Sequence, residues 1–257
     1  MKSKAMQSRL RRAAAHLPYI PQLLWWVRPA SGDTIRWAVE RPKVFSFLGH
    51  DLGVALEVGF GGALYTSYLA DRAASVVAVD FDPVLGLRMQ WTLRRYGTRV
   101  SIVHADAQSL PFETSSFDTV LCTQVLEHLD NGQQGLDEMA RVLKSGGRLV
   151  LSVPLPVKSV VPGAGPGSHK VAGFDLDAMD DMLQSAGLEM VRYSYCFLYF
   201  SQLASRWLSW CRSHLKMTPL GIAAIALCQA DRLVASGSRL SQPYILIIEA
   251  NNIASVH

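Results

Sequence analysis

The stretch Ala55-Leu56-Glu57-Val58-Gly59-Phe60-Gly61-Gly62-Ala63 places an acid and two alternating glycines at the end of a short apolar run. Glycine takes positive φ freely and lets the backbone come close to a ligand. A helix starting behind such a turn aims its first N–H groups at that ligand. Alone the pattern is weak, because glycine-rich strand-to-helix turns also serve packing. A second acid, Asp80, closes the next apolar run, 23 residues after Glu57. An acid at that spacing, ending a second strand, is placed to hold ribose hydroxyls. Asp82 suits the N-cap of the following helix better, which leaves Asp80 to the ligand. A third acid, Asp106, follows the third run, Val100–His104. Ligands of open α/β sheets bind along the carboxyl ends of the strands, where these three acids fall.

The elements that must position them follow from periodicity and punctuation. Strands are expected over Val54–Val58, Ser75–Val79, Val100–His104, Phe117–Cys122, Arg148–Val153, Glu189–Tyr195 and Tyr244–Glu249. Between them, helices are expected over Ala63–Arg72, Pro83–Tyr96, Gln133–Leu143 and Leu176–Ala186. Pro83 fits a first helical position, Gly97 and Gly187 fit helix ends, and Lys144-Ser145-Gly146-Gly147 reads as a turn. A further helix is expected over 33–49, with Asp33 or Thr34 as N-cap. The alternation predicts a Rossmann-like α/β fold: a doubly wound, mostly parallel seven-stranded sheet with helices on both faces. Residues 1–50 read as a basic helical segment, with a helix over 3–16, and 51–257 as the sheet domain. Within it lie a Pro/Gly/Ser-rich loop at 154–173 and an apolar helical insertion at about 197–238.

Composition bounds the partners. Charged residues are 18% of the 257, against roughly 25% in an average soluble domain. The net charge of +4 is uneven: residues 1–43 carry nine Lys/Arg against two acids, and the rest is net acidic. A basic segment of this kind can meet phosphates, whereas the main domain does not suit a nucleic-acid groove. Cys122, Cys196, Cys211 and Cys228 lack zinc-ligand spacing and read as buried apolar residues of a reducing compartment. No stretch is apolar for long enough to span a bilayer, and Pro18 and Pro21 interrupt a secretory pattern. A cytoplasmic chain is the expectation, and the Arg- and Ala-rich, acid-poor N-terminus leaves peripheral membrane contact and an organelle transit peptide open.

More motifs then fall in order. They are Val79-Asp80-x-Asp82-Pro83, Asp106-Ala107-x-x-Leu110-Pro111-Phe112, Ser116-Phe117-Asp118-x-Val120 and Val125-Leu126-Glu127-His128-Leu129. Arg141-Val142-Leu143-Lys144-x-Gly146-Gly147 and Ser152-Val153-Pro154 follow. With Glu57-x-Gly59-x-Gly61, the set resembles the class I S-adenosylmethionine-dependent methyltransferases of the ubiquinone/menaquinone-biosynthesis-like (type 11) group, over roughly 54–195.

The resemblance implies that Glu57, Gly59 and Gly61 belong to the S-adenosylmethionine site, with the two glycines facing the methionine part. It gives the ribose to Asp80, a flank of the adenine to Phe81, the adenine amino group to Asp106 with Ala107 beside it, and the sulfonium to Cys122 and Thr123. It makes His128 a candidate general base, and His169, in the long loop, a second candidate over the acceptor. Methyl transfer from a sulfonium requires in-line positioning and in principle no base. Quinone O-methyltransferases of this type complete a divalent-metal site with an acid three residues before the Glu-His pair. Gln124 stands there, and an amide replaces a carboxylate ligand poorly, so no metal is expected.

The acceptor is expected to be small and apolar, lipid- or quinone-like. Tyr19, Trp25, Trp26, Tyr195 and Tyr199 are candidate walls of its pocket. Phe197, Phe200, Ala204, Trp207, Leu208 and Cys211 recur at helical spacing, with Leu198, Leu203 and Trp210 widening that face. Arg206, Arg212, His214 and Lys216 flank it. The insertion suits a lid, a membrane contact over 197–216, or a helix hairpin packed on the sheet or on a second subunit of a homo-oligomer. Three other readings stay open: a catalytically silent cofactor-binding partner subunit, a nucleotide-dependent oxidoreductase, and a methyltransferase acting on nucleic acid or protein, although no Asn/Asp-Pro-Pro-Tyr-type motif follows the fourth strand. Leu64 stands where the oxidoreductase pattern G-x-G-x-x-G needs its third glycine.

Overall fold

The computed structural model describes residues 32–156, 170–197, 199–211 and 243–253, and single residues at 214, 226, 228 and 231. The helix expected over 3–16, Tyr19, Trp25, Trp26 and His169 lie outside the described residues, as does most of the insertion beyond Cys211.

Strands β1 (Val54–Val58), β2 (Ser75–Asp80), β3 (Val100–His104), β4 (Phe117–Thr123), β5 (Leu143–Pro154), β6 (Leu188–Cys196) and β7 (Ile245–Asn252) form one sheet. Its order is β3-β2-β1-β4-β5-β7-β6. The pairs from β3 to β5 are parallel, and β7 runs antiparallel to both β5 and β6. The helices are α1 (Gly32–Leu48), which precedes β1, and the connecting α2 (Leu64–Ala70), α3 (Pro83–Leu93), α4 (Gly132–Val142), α5 (Leu176–Ser185) and α6 (Tyr199–Trp210).

Parallel strands are covered on both faces and so read as continuous apolar runs. Successive side chains alternate between the faces. Ala55, Val76, Leu121, Val150 and Ile247 enter one core, closed by Val44 and Phe47 of α1, Leu69 of α2 and Ala204 of α6. Leu56, Val58, Val120 and Leu151 enter the other, closed by Leu136 and Met139 of α4 and Leu183 of α5. The doubly wound sheet expected from the sequence is therefore present.

Several boundaries differ from expectation. Asp33 and Thr34 do not cap α1, because Gly32 is already helical. α3 stops at Leu93 and continues as 3₁₀ structure over Arg94–Arg99, broken at Gly97 (φ 58°). The segment 144–147 is not a separate turn: β5 begins at Leu143, and its register with β4 shifts between Phe117↔Leu143 and Thr119↔Arg148. Gly146, at φ 71°, absorbs the extra length. Two arginines tie down the end of α1. Arg148 donates to the Leu48 carbonyl, and Arg192 to those of Ser46 and Phe47. Both pair with the buried Glu249, at 3.1 and 2.5 Å. Carbonyls left over at a helix end need such partners.

Candidate functional site

β1 lies inside the sheet between β2 and β4, and its carboxyl end meets theirs. Strand order reverses direction there, and ligands of open α/β sheets bind outside the strand ends at such a point. Gly59, Gly61 and Ala63 all have positive φ, at 77°, 47° and 55°. The turn needs three left-handed residues, and the third is alanine, at a cost of roughly 1–2 kcal/mol. Gly59 donates its N–H to the Val79 carbonyl at 2.8 Å. A Cβ at Gly59 would stand 2.3 Å from Val125 Cγ2, so only glycine lets the β1 and β4 loops close on one another. A Cβ at Gly61 would meet nothing within 4 Å, so that glycine faces open space.

Asp80 is the organiser of this edge. Its Oδ2 accepts from Gly61 N–H and its Oδ1 from Asp82 N–H, each at 3.0 Å. Its own carbonyl accepts from Ala105 N–H at 3.2 Å, which joins the β3 loop to the same point. Asp82 caps α3 by accepting from Val84 N–H, as the spacing predicts. Phe81 is 73% exposed, with its carbonyl 2.7 Å from His104 Nε2. Asp106 Oδ1 accepts from the backbone N–H of Gln108 at 2.9 Å and lies 3.2 Å from that residue's amide nitrogen. Ala107 is buried beneath it. Glu57, Gly59, Gly61, Asp80, Phe81, Asp106 and Ala107 thus gather along the ends of three adjacent strands.

Glu57 is buried with its Oε2 unpartnered. Burial, reinforced by the charge of Asp80, pushes its carboxyl from the ordinary 4.5 up to about 8, against a smaller lowering influence from Thr66. It is therefore protonated at neutral pH in the ligand-free fold, next to a turn that faces open space.

Past β4 the placement is mixed. The Cys122 side chain lies inside the core, and burial, with the charge of Glu127, pushes its thiol far up. Cys122 therefore has only its backbone to offer a ligand, while Thr123 is half-buried at the strand's end. Glu127 is buried and His128 is 38% exposed, their Nε2 and Oε1 atoms 4.0 Å apart. The Glu127 carbonyl accepts from Lys170 N–H at 2.7 Å, so the far end of the long loop returns to this turn. Tyr195 is half-buried on β6. Arg141 proves to be a clamp: it pairs with Glu138 and donates to the carbonyls of Leu110 and Phe112.

Sequence reasoning missed Glu40 and Ser152. Glu40, on α1, is 1% exposed and accepts from the Ser152 hydroxyl of β5. Its distance of 112 residues along the chain leaves no local pattern to find it by.

Residues 56–151 match the profile of a family described as "Methyltransferase domain". A demethylmenaquinone methyltransferase of Clavibacter sepedonicus is 41% identical over 97 residues, covering 37% of this chain and 39% of that protein. A probable S-adenosylmethionine-dependent methyltransferase of Mycolicibacterium smegmatis is 29% identical over 166 residues, 63% of each. The chain thus spans less than two thirds of the length of these curated relatives. Among solved structures, the N-methyltransferase NodS of Bradyrhizobium japonicum, in complex with S-adenosyl-L-homocysteine, aligns with a TM-score of 0.54 at 17% identity. The alignment covers 83% of this chain and 87% of NodS. At that identity the likeness speaks for the fold.

Proposed function

We propose that this chain, which carries a class I S-adenosylmethionine-dependent methyltransferase domain, moves a methyl group from S-adenosylmethionine to a small, apolar, lipid- or quinone-like acceptor. The observation that carries the reading is the Asp80 carboxylate, which organises the glycine turn of β1 and the edge of β3 at one point. The residues present fit the cofactor. Gly61 fronts open space for its methionine part, Asp80 retains acceptor capacity for ribose hydroxyls, Phe81 offers an exposed ring to the adenine, and Asp106 offers a carboxylate to its amino group. Glu57, with an unpartnered buried oxygen, suits the positive charge of the methionine end.

When bound, S-adenosylmethionine supplies an electrophilic methyl on a cationic sulfur. The protein's share is orientation and exclusion of water. Thr123 and the backbone of Cys122 border the reacting end, and His128 at the rim would take a proton from an acceptor hydroxyl. The dinucleotide-dependent reading is disfavoured by Leu64 and by the antiparallel β7, since the usual dinucleotide sheet has the order 3-2-1-4-5-6. The silent-subunit reading is disfavoured by the intact Asp80 and Asp106. The quinone-like acceptor is suggested by the name of the Clavibacter relative. With methyl-labelled S-adenosylmethionine and an apolar cell extract, label is expected in the solvent-extractable fraction. Label confined to the aqueous phase would contradict the acceptor class.

We further infer that α6 meets a membrane surface that holds this acceptor. Its expected apolar face divides in two: Ala204 and Leu208 are buried, whereas Leu203, Trp207 and Trp210 are exposed at 41%, 37% and 50%. The exposed three recur at helical spacing, with Arg206 exposed beside them. Tryptophans flanked by a cation suit an anionic interface. No helix among the described residues is long and apolar enough to cross a membrane. Replacing Trp207 and Trp210 by Ser should lower co-sedimentation with anionic vesicles while sparing cofactor affinity. Unchanged co-sedimentation would refute the contact, and wild-type self-association lost in the variant would assign the stripe to a second copy.

A further inference from the structure

A chain of hydrogen bonds runs from α1 to the mouth of the site. Gln124 Nε2 donates to Ser152 Oγ at 3.3 Å, and Ser152 Oγ donates to Glu40 Oε1. The Gln124 backbone N–H donates to the Ser152 carbonyl at 2.9 Å. Gln124 itself has φ 54°, a left-handed conformation unusual for a residue with a side chain. It directly follows Thr123, and the next residue, Val125, is the one packed against Gly59.

The direction of the protons decides what Gln124 presents. A hydroxyl has one proton. Glu40 Oε1 accepts it, so the Ser152 oxygen faces Gln124 only as an acceptor. Gln124 must then answer with its NH₂ group, and its carbonyl oxygen turns away from Ser152. That oxygen accepts no hydrogen bond from the described residues. With a residue at 40 that cannot accept, the serine proton would be free to turn to Gln124 and the amide to flip.

We propose, resting on the methyltransferase reading above, that the Gln124 side-chain carbonyl holds an O–H or N–H donor on the methyl acceptor, with Glu40 and Ser152 as positioning residues that fix the amide. The acceptor class is thereby narrowed to apolar molecules that carry a hydrogen-bond donor beside the atom that reacts. The amide that disfavours a metal at this position becomes the group that reads the acceptor.

The test uses the full chain with S-adenosylhomocysteine and two probes, naphthol and methoxynaphthalene, which share an apolar ring but differ in the O–H. The wild type is expected to bind naphthol about tenfold more tightly, the effect of one hydrogen bond. Gln124→Met and Ser152→Ala should erase that preference and leave S-adenosylhomocysteine affinity unchanged. Glu40→Gln, which can still accept from Ser152, should keep most of it, whereas Glu40→Met should not. A merely structural role would weaken both probes together. Absence of preference in the wild type, or a preference that survives Gln124→Met or Ser152→Ala, overturns the proposal. If Glu40→Met does not fold, the Ser152→Ala result decides the relay. Failure of S-adenosylhomocysteine to bind sinks the methyltransferase reading instead, and the probe preference is then read in the ligand-free chain.

Discussion

Asp80→Ala is expected to lower S-adenosylmethionine affinity by at least about a hundredfold, read by calorimetry. A ribose offers two hydroxyls, and a hydrogen bond to a charged group contributes roughly 1.5–3 kcal/mol. Two such bonds correspond to about two to four powers of ten in affinity. A second loss adds to the first, because the same carboxylate accepts from the N–H groups of Gly61 and Asp82 and so holds the turn that the cofactor meets. Asp80→Asn separates the two contributions. Its amide oxygen retains one backbone contact, while its NH₂ cannot accept from a hydroxyl, so its affinity should fall between wild type and alanine. Asp80 lies at the carboxyl edge of the sheet rather than in the core, and unfolding should shift little. An Asp80→Ala chain that binds like wild type would remove ribose recognition from this residue.

Glu57→Gln is expected to change how stability depends on pH. Below about pH 4.5 both folded and unfolded chains carry this proton. Between about 4.5 and 8 the unfolded carboxyl ionises while the buried one does not, so the ligand-free fold loses stability as pH rises. Above about 8 the loss levels off. A shift of that size corresponds to roughly 4–5 kcal/mol, an order-of-magnitude figure. The amide variant lacks this loss, so its urea midpoint should exceed the wild type's at about pH 9, and the advantage should disappear near pH 4. The positive charge of the cofactor would draw the Glu57 proton off. Wild-type binding near neutral pH should therefore release up to about one proton, seen as a dependence of binding enthalpy on the buffer, and Glu57→Gln should abolish it. Parallel stability curves for the two chains would contradict the burial account.

The sheet was legible because parallel strands must be apolar on both faces. Val54–Val58 and Val100–His104 end where their runs end. The acids at the strand ends were legible for the opposite reason: polar residues closing apolar runs have no packing explanation. Non-local causes were not legible. Lys144-Ser145-Gly146-Gly147 has the composition of a turn, yet pairing with Phe117 carries the strand back to Leu143. The single apolar face of 197–211 divides because α6 lies against α1, which covers Ala204 and leaves Trp207 outside. Cys122 follows the pleat into the core, so its place at the strand end does not expose its thiol. Glu40 looks like an ordinary helix acid until Ser152, a hundred residues away, is brought beneath it.

The central claim is that the carboxyl edge of β1, β2 and β3 holds S-adenosylmethionine. The most direct measurement is calorimetric titration of the full chain with S-adenosylmethionine and, separately, with a nicotinamide dinucleotide. Saturable, micromolar-range binding of S-adenosylmethionine and none of the dinucleotide is the predicted result. No saturation with S-adenosylmethionine, or competition by the dinucleotide for the same site, would contradict it.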